Sequence, residues 1–459
     1  MYVEDTIVAS ATPPGTGGVA IVRLSGPDAI RILRRIFHPR SAGPLEPRKL
    51  YLGEVRDPQT GAAIDRALAV IMPGPATLTG EDVAELHCHG GVYIVRRIVG
   101  LAMALGARVA DPGEYSRRAF LNGKMDLTEA EAIADLVQAR SESALAQALA
   151  QLGGALSGRV ERVRDNVIAI RAQLEAEIDF SDEDIALPSR EQIAASIAAL
   201  EDDLRILHDS FARGRLIREG VRAAIVGKPN VGKSSILNLL LGTERAIVTP
   251  IPGTTRDVIE DSIRLGPYQL VLQDTAGVRE DAGEVERIGI ERTLDHAAQA
   301  ELLVAVFDAS RALEPEDSSV IELGRGRAGV AILNKCDLPA VLSCEELRES
   351  GVKMLVLPLC ALKAEGVGAL RDELLRAVEA IVGEGAGEGA AISRERHRHA
   401  LSTALEALAA ARAGMSSGMP PEMVAVDVAG AADALGAITG AVGSEDVLDA
   451  IFRQFCIGK

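Results

Sequence analysis

The stretch "GKPNVGKSS", residues 227–235, brings together the residue types that handle a nucleoside triphosphate. It fits G-x-x-x-x-G-K-[ST]. It follows the apolar run "VRAAIV" and opens "SSILNLLLG", so a strand should precede it and a helix follow. Glycine lets backbone N–H groups close around phosphate oxygens at such a helix N-terminus. The expected contacts are Asn230, Val231, Gly232, Lys233, Ser234 and Ser235. Lys233 would reach the β- and γ-phosphates, and the Ser234 hydroxyl would ligate Mg²⁺. A chance Gly-rich turn is the alternative, and the flanking strand and helix argue against it.

Two further elements follow in order. "DTAG" (Asp274, Thr275, Ala276, Gly277) ends the strand-like "YQLVLQ". An Asp there holds Mg²⁺ through water, and the Gly amide senses the γ-phosphate. "NKCD" ends "GVAIL" and supplies Asn334, Lys335 and Asp337. In GTPases the N-K-x-D carboxylate accepts from the guanine N1–H and 2-amino group, a donor pair that adenine lacks. Three such elements at the ends of parallel strands predict a GTPase domain. Where Ras-like proteins carry a water-orienting Gln, this chain has Val278, which cannot hydrogen-bond. Arg279, Glu280, Glu284, Glu286 and Arg287 are the downstream candidates for that task, each also readable as a solvated loop charge.

These motifs need elements to carry them. The 459 residues suffice for two to four domains, and 47% hydrophobic with 25% charged residues is ordinary for a globular protein. Residues 1–118 mix short apolar runs, Gly/Pro turns and helical patches, which predicts an α+β domain. Residues 119–217 carry apolar positions at three- and four-residue spacing and almost no Pro, the signature of long amphipathic helices. Residues 218–380 alternate strands and helices, as a parallel sheet buried on both faces requires. A linker, "GEGAGEGAA", precedes more helix, so residues 381–459 complete a helical domain into which the α/β segment is inserted.

The net charge of −17 should repel nucleic acid unless basic residues cluster or a partner supplies them. Five scattered cysteines argue against a disulfide framework or a zinc site and for a reducing compartment. The N-terminus lacks the features of a signal peptide, and no apolar run approaches membrane-spanning length; a cytoplasmic protein without membrane contact is expected. "LHCHGG" clusters His87, Cys88 and His89, but neighbours on a strand point to opposite faces, which disfavours a metal site. "SRERHRH" (393–399) is either a solvated helix start or a nucleic-acid contact. The tail "FCIGK" holds Cys456 four places from the end. Gly458 and Lys459 do not suit prenylation. "SEDVLDAIFRQF", with Ser444 as N-cap and Val447, Leu448, Ile451, Phe452 and Phe455 on one face, should dock and hold the thiol in a defined place.

The set "GKPNVGKSS", "PGTTRD", "DTAGVRE", "EVERIGIER", "NKCD" and "FCIGK" resembles the MnmE (TrmE) family of tRNA-modifying GTPases. "DTIVASATPPGTGGVAIVRLSG", "TGEDVAELHCHGG", "PGEYSRRAFLNGKMDLTEAEAIADLV" and "EIDFSDEDI" resemble it equally, so the similarity runs through essentially the whole chain. The resemblance implies a multidomain α/β protein: an N-terminal α+β folate-binding and dimerisation domain, a helical domain built from two chain segments, and an inserted Ras-like P-loop G domain. It implies a homodimer that works on tRNA in a heterotetramer with the flavin- and NADH-dependent partner MnmG (GidA). Together they would add an aminomethyl or carboxymethylaminomethyl group to C5 of the wobble uridine. The carbon would come from 5,10-methylene-tetrahydrofolate, for which 5-formyl-tetrahydrofolate is an analogue. A regulatory switch GTPase of the ribosome-assembly type is the rival, but it leaves the N-terminal domain and Cys456 unexplained.

The resemblance also implies site residues. K⁺ would replace an arginine finger, held by the Asn230 side chain and carbonyls of Thr249, Ile251 and Thr254 in the loop that also contains Pro250, Pro252 and Gly253. Thr255 would complete Mg²⁺ with Ser234; the residues alone do not choose between Thr254 and Thr255. Glu286 would position the attacking water, and Cys456 would serve the one-carbon chemistry as nucleophile or proton donor. Arg23, Glu81, Lys124 and Lys459 would line the folate pocket, the carboxylate suiting pterin donors and the basic groups suiting glutamate carboxylates. One departure stands out: S-A-[KR] of the last guanine motif is here Cys360, Ala361 and Leu362. Weaker guanine affinity is expected, with selectivity retained through Asp337.

Overall fold

The computed structural model describes residues 4–179, 188–244, 261–273, 300–383, 391–442, 445–453, 455 and 458. The N-terminal unit is built on a seven-stranded sheet of order β3-β4-β5-β6-β2-β1-β7. The strands are β1 Ile7–Ser10, β2 Gly17–Ser25, β3 Phe37–Pro39, β4 Tyr51–Arg56, β5 Ala63–Met72, β6 Val83–Gly90 and β7 Arg108–Val109. Val22, Leu24 and Leu86 alternate with polar positions and pack against Ile32, Leu33 and Ile98 of the helices Ala29–Ile36 and Val92–Ala104. Period-2 alternation thus buries one face and leaves Arg23, Glu85 and His87 on the other. The antiparallel register sets Arg23 opposite Glu85 and Ala9 opposite Arg23.

The helical core joins two distant chain segments. Val160 and Val167 of Ala155–Asp179 and Ile197 and Leu204 of Arg190–Asp209 pack with Leu401 and Leu408 of Glu395–Ser416 and Val428 and Leu435 of Pro421–Thr439. Ser189 and Gln192 form a reciprocal capping box that starts the second helix. The chain leaves this domain and returns to it at one place: Ile392 N–H donates to Ser210 Oγ at 3.1 Å. Gly214 faces the Ile392 carbonyl, and any side chain there would overlap it.

Between those points lies a six-stranded sheet of order β13-β12-β11-β8-β10-β9. Its strands are β8 Val221–Val226, β9 Asp261–Leu265, β10 Tyr268–Gln273, β11 Leu302–Asp308, β12 Gly329–Asn334 and β13 Leu355–Pro358. Neighbours pair in parallel except β9 with β10. Every residue of β11 is buried, as expected of a strand covered on both faces. The turn between β9 and β10 docks on the helical domain: the Ser143 amide and hydroxyl both donate to the Pro267 carbonyl, at 3.0 and 2.6 Å.

The last helix, Glu445–Phe452, docks through a narrower stripe than its sequence suggests. Ile451, Phe452 and Phe455 are buried against Leu127 and Ala130, and Leu448 is partly covered. Val447 is 41% exposed, because this short helix meets neighbours on one side only. Ser444 lies outside the described residues.

Candidate functional site

The phosphate loop runs from the C-terminal end of β8 into the helix Lys233–Glu244. Gly227, Asn230 and Gly232 have φ of 157°, 63° and 101°, the alternation that turns successive N–H groups inward as an anion nest. A β-carbon on Gly227 would fall 2.5 Å from the Val306 carbonyl oxygen, so glycine is required by space as well as by φ. Asn tolerates the left-handed conformation, which explains a non-glycine at 230. Val231 is buried beneath the loop, whereas Asn230, Ser234 and Ser235 are exposed on it. Lys233 Nζ donates to the carbonyls of Gly227 and Lys228 at 2.9 and 2.8 Å, which holds the ammonium over the loop. Lys228 pairs with Glu314 and Asp317 at 2.8 and 2.6 Å, anchoring the loop's rim.

The candidate base site stands at the same sheet edge, where β11 and β12 end. Asn334 Nδ2 donates to the Val231 carbonyl at 2.9 Å, and its Oδ1 accepts from Ala361 N–H at 3.1 Å. One buried amide thus ties the phosphate loop, β12 and the last guanine motif together. Lys335, with φ of 65°, pairs with Asp308 at 2.7 Å. Burial pushes the Asp308 carboxyl up, but hydrogen bonds from Lys335 and Ser310 hold it below the usual range. Asp337 accepts from the Cys360 thiol at 3.3 Å. Leu362 is 84% exposed. The switch residues Thr249, Pro250, Ile251, Pro252, Gly253, Thr254, Thr255, Asp274, Thr275, Ala276, Gly277 and Glu286 lie outside the described residues.

A second cluster forms in the N-terminal domain. Glu81 accepts from Ser25 Oγ at 2.6 Å and from Arg118 at 3.1 Å. Arg118 is 3% exposed, and it also donates to the Asp5 carbonyl at 2.7 Å and to Glu114 at 2.9 Å. Gly80, with φ of 79°, brings the turn carrying Glu81 against the Lys124 methylenes; a β-carbon there would sit 3.1 Å from them. Arg23 lies two residues before Ser25 on the same strand face, pairs with Glu85 at 2.8 Å and stacks near the Tyr115 ring at 5.8 Å. Burial works against the Glu85 carboxylate, yet Arg23 and His87 bring its pKa below the ordinary value. Arg23, Glu81 and Lys124 therefore share one corner of the domain.

The chain's end also docks on the N-terminal domain. Phe455 packs on Phe452 with ring centroids 5.4 Å apart and lies against Gly113. Gly458, at φ 97°, abuts Ser10 and Ala11 at the end of β1, beside the strand that carries Arg23. Cys456 and Lys459 lie outside the described residues; their neighbour Phe455 sits against Gly113, Leu127 and Ala130, and Gly458 lies against Ser10.

Comparison with known proteins matches the description "GTP-binding protein TrmE N-terminus" over residues 6–124 and "MnmE helical domain" over residues 127–456. The chain belongs to the MnmE family. Relatives named tRNA modification GTPase MnmE include those of Natranaerobius thermophilus, 42% identical over 99% of this chain and 100% of that one. The MnmE of Symbiobacterium thermophilum is 45% identical over the same shares. That of Geobacter sulfurreducens is 41% identical over the full length of both chains. The MnmE helical match spans the inserted G domain, as a helical domain assembled from two segments must.

The structure adds partners that the MnmE motifs did not reveal. Arg118 is the second arginine of "SRR", with no local signal to separate it from the half-buried Arg117. Asp308 ends β11, and an Asp closing an apolar run, as in "YQLVLQD", is a sequence pattern that could have flagged it. "SRERHRH" proves to be neither a wholly solvated helix start nor a free basic patch. Arg396 grips the buried Glu131 through two nitrogens at 2.6 and 2.8 Å, His397 lies 3.0 Å from the same carboxylate, and Arg394 pairs with Asp135 at 2.6 Å. Only Glu395, Arg398 and His399 of that stretch are exposed. In the other histidine cluster His87 bonds Glu85, His89 bonds Asp65, and Cys88 is buried, its thiol pushed up to about 11 by burial.

Proposed function

We propose that this MnmE-family GTPase modifies tRNA at C5 of the wobble uridine, adding an aminomethyl or carboxymethylaminomethyl group with an FAD- and NADH-dependent partner of the MnmG type. The observation that carries the reading is the seating of Phe455 against Gly113 and of Gly458 against Ser10, on either side of Cys456, on the domain that holds Arg23, Glu81 and Lys124. A switch protein without covalent chemistry has no use for a tail docked on that domain.

The donor set of that corner fits a reduced folate. A Glu81 carboxylate held from behind by Ser25 and Arg118 suits the pterin's amino and N–H donors, and the cations of Arg23, Lys124 and Lys459 suit its glutamate tail. Methylene-tetrahydrofolate, when bound, supplies the one-carbon unit. Cys456 serves as nucleophile or proton donor there.

In the G domain the phosphate nest and Lys233 bind GTP, and Asp337 selects guanine. Ser234 is exposed on the first turn of its helix, as a Mg²⁺ ligand must be, and Thr255 completes the set. Asn230 is exposed on the loop, and its side chain would hold K⁺ together with the carbonyls of Thr249, Ile251 and Thr254. Bound by these residues, the two cations would supply positive charge against the β- and γ-phosphates. Glu286 orients the water. Hydrolysis reaches the folate corner through the helical domain, on which the β9–β10 turn is docked by Ser143.

The active form is a homodimer in the cytoplasm. Among the described residues no helix is long and apolar enough to cross a membrane. A charge of −17 leaves most tRNA contact to the partner. The test is mass spectrometry of tRNA nucleosides from cells lacking this chain, rescued with wild type or Cys456→Ser. Modified wobble uridines should vanish, return with wild type and stay absent with the variant. Unchanged nucleosides in the deletion strain would replace this reading with the switch GTPase.

A further inference from the structure

We propose that the outer surface of the helices Ala29–Ile36 and Val92–Ala104 is the face through which this chain grips an RNA backbone. The inference rests on the reading of tRNA as substrate and says where that polyanion touches an acidic protein. Residues 1–118 carry 14 basic and 12 acidic side chains, so the charge of −17 arises outside them. Any RNA drawn to the chain by charge is drawn to this domain. Within it the two helices stand apart. They hold five arginines, Arg31, Arg34, Arg35, Arg96 and Arg97, and no Asp or Glu.

The fold gathers these arginines on one surface. Both helices pack into the same core on one face of the seven-stranded sheet. They run antiparallel, since Arg31, near the start of the first, donates to the Leu105 carbonyl just past the end of the second at 3.4 Å. At the other end Arg97 pairs with Asp57 at 3.2 Å. Asp57 follows Val55 by two residues, and Val55 is the register partner of Phe37, the residue after the first helix. Arg96 and Arg97 therefore stand beside the turn that carries Arg34 and Arg35. Arg31 is paired with Asp28 at 2.7 Å. Arg34, Arg35 and Arg96 are exposed, with no carboxylate paired to them among the described residues. Arginine is the cation that meets phosphate oxygens bidentately. Tyr93, 75% exposed, lies one turn before Arg96 and Arg97 on the same helix face and offers a ring on which an unpaired base can stack. Cations alone would suit an acidic protein equally; the exposed ring beside them favours RNA. The surface lies across the sheet from Arg23, so it holds backbone rather than the reacting base.

The test is binding of a fluorescein-labelled tRNA transcript to the full chain, read by anisotropy from about 50 to 200 mM KCl. Wild type should bind and weaken steeply with salt. The triple variant Arg34→Gln, Arg35→Gln, Arg96→Gln keeps good helix formers at exposed positions. It should bind about tenfold more weakly, or worse, at the lowest salt, and flatten the log–log salt slope by about two to three. Tyr93→Ala should weaken binding about fivefold or more with the slope unchanged. GTP turnover by both variants should stay within about twofold of wild type. The proposal is overturned if wild type binds no tRNA at the lowest salt, or if the triple variant keeps both affinity and slope. A triple variant that retains tRNA but no longer captures the flavoprotein partner also overturns it, since the face then belongs to a protein. If the variant loses tRNA while deletion of the chain leaves nucleosides unchanged, the RNA face stands and the wobble-uridine reading falls.

Discussion

Gly458 lies against Ser10, with its α-carbon turned so that any β-carbon would overlap the Ser10 carbonyl oxygen. The contact joins the last residues of the chain to the first strand of the N-terminal domain, and φ of 97° at Gly458 makes the bend available to glycine alone. Gly458→Val should lift the tail from the domain. Wobble-uridine modification should drop at least tenfold while GTP turnover stays within twofold of wild type. Nucleoside mass spectrometry beside a phosphate-release assay would check it, and retained modification would mean that the bend is not needed.

The proposed folate corner gives a second expectation. Glu81→Gln keeps the volume but removes the charge that draws pterin donors, and it weakens the grip of Arg118. A charge-assisted hydrogen bond of about 1.5–3 kcal/mol corresponds to roughly ten- to a hundredfold weaker binding of 5-formyl-tetrahydrofolate. Titration calorimetry would measure it. Unaltered affinity would move the folate site elsewhere.

Asn230 provides the test of the K⁺ reading. Turnover of GTP by wild type should rise in KCl over NaCl at equal ionic strength. Asn230→Asp, which keeps an oxygen and tolerates φ of 63°, should retain a KCl effect, whereas Asn230→Ala should give equal rates in the two salts. Equal rates in wild type would remove the assignment.

The Glu131 cluster predicts how the helical domain responds to acid. Burial alone would raise the Glu131 carboxyl from 4.5, but His397 and Arg396 hold it well below that value. His397, fully buried, is depressed below 6.5 by burial, against the opposing pull of Glu131. Both folded values are lowered, so the unfolded chain binds more protons as pH falls. Stability from this cluster is complete above pH 6.5, declines as pH drops below 6.5 through His397, and declines again below 4.5 through Glu131. The melting temperature should be flat from about pH 7 to 8 and fall below about 6.5. His397→Gln should flatten the first decline. Glu131→Gln leaves Arg396 without its counter-charge and should cost about 3–5 kcal/mol at neutral pH by urea unfolding.

The phosphate loop was legible because its chemistry is local. Nine consecutive residues hold the turn, the ammonium and the helix start, and a glycine forced to positive φ needs no distant partner to declare itself. The two-segment helical domain was legible for a similar reason, since a 3.6-residue period is written into each segment by the face it must bury. Val447 was misplaced because periodicity shows which residues could share a face but not how wide a neighbour covers it.

Other features were settled by residues far apart in the chain. Asp337 and Cys360 are 23 positions apart, Glu81 and Arg118 are 37 apart, and Glu131 and Arg396 are 265 apart. No spacing rule links such pairs. Each side chain alone reads as surface charge or an idle thiol, and only the docking of strands, helices and the returning chain removes the water that would otherwise satisfy them. The motifs named the chemistry because it lies along the backbone. The folded chain chose the partners because burial, which is a property of the whole molecule, determines which charges and thiols must find one another.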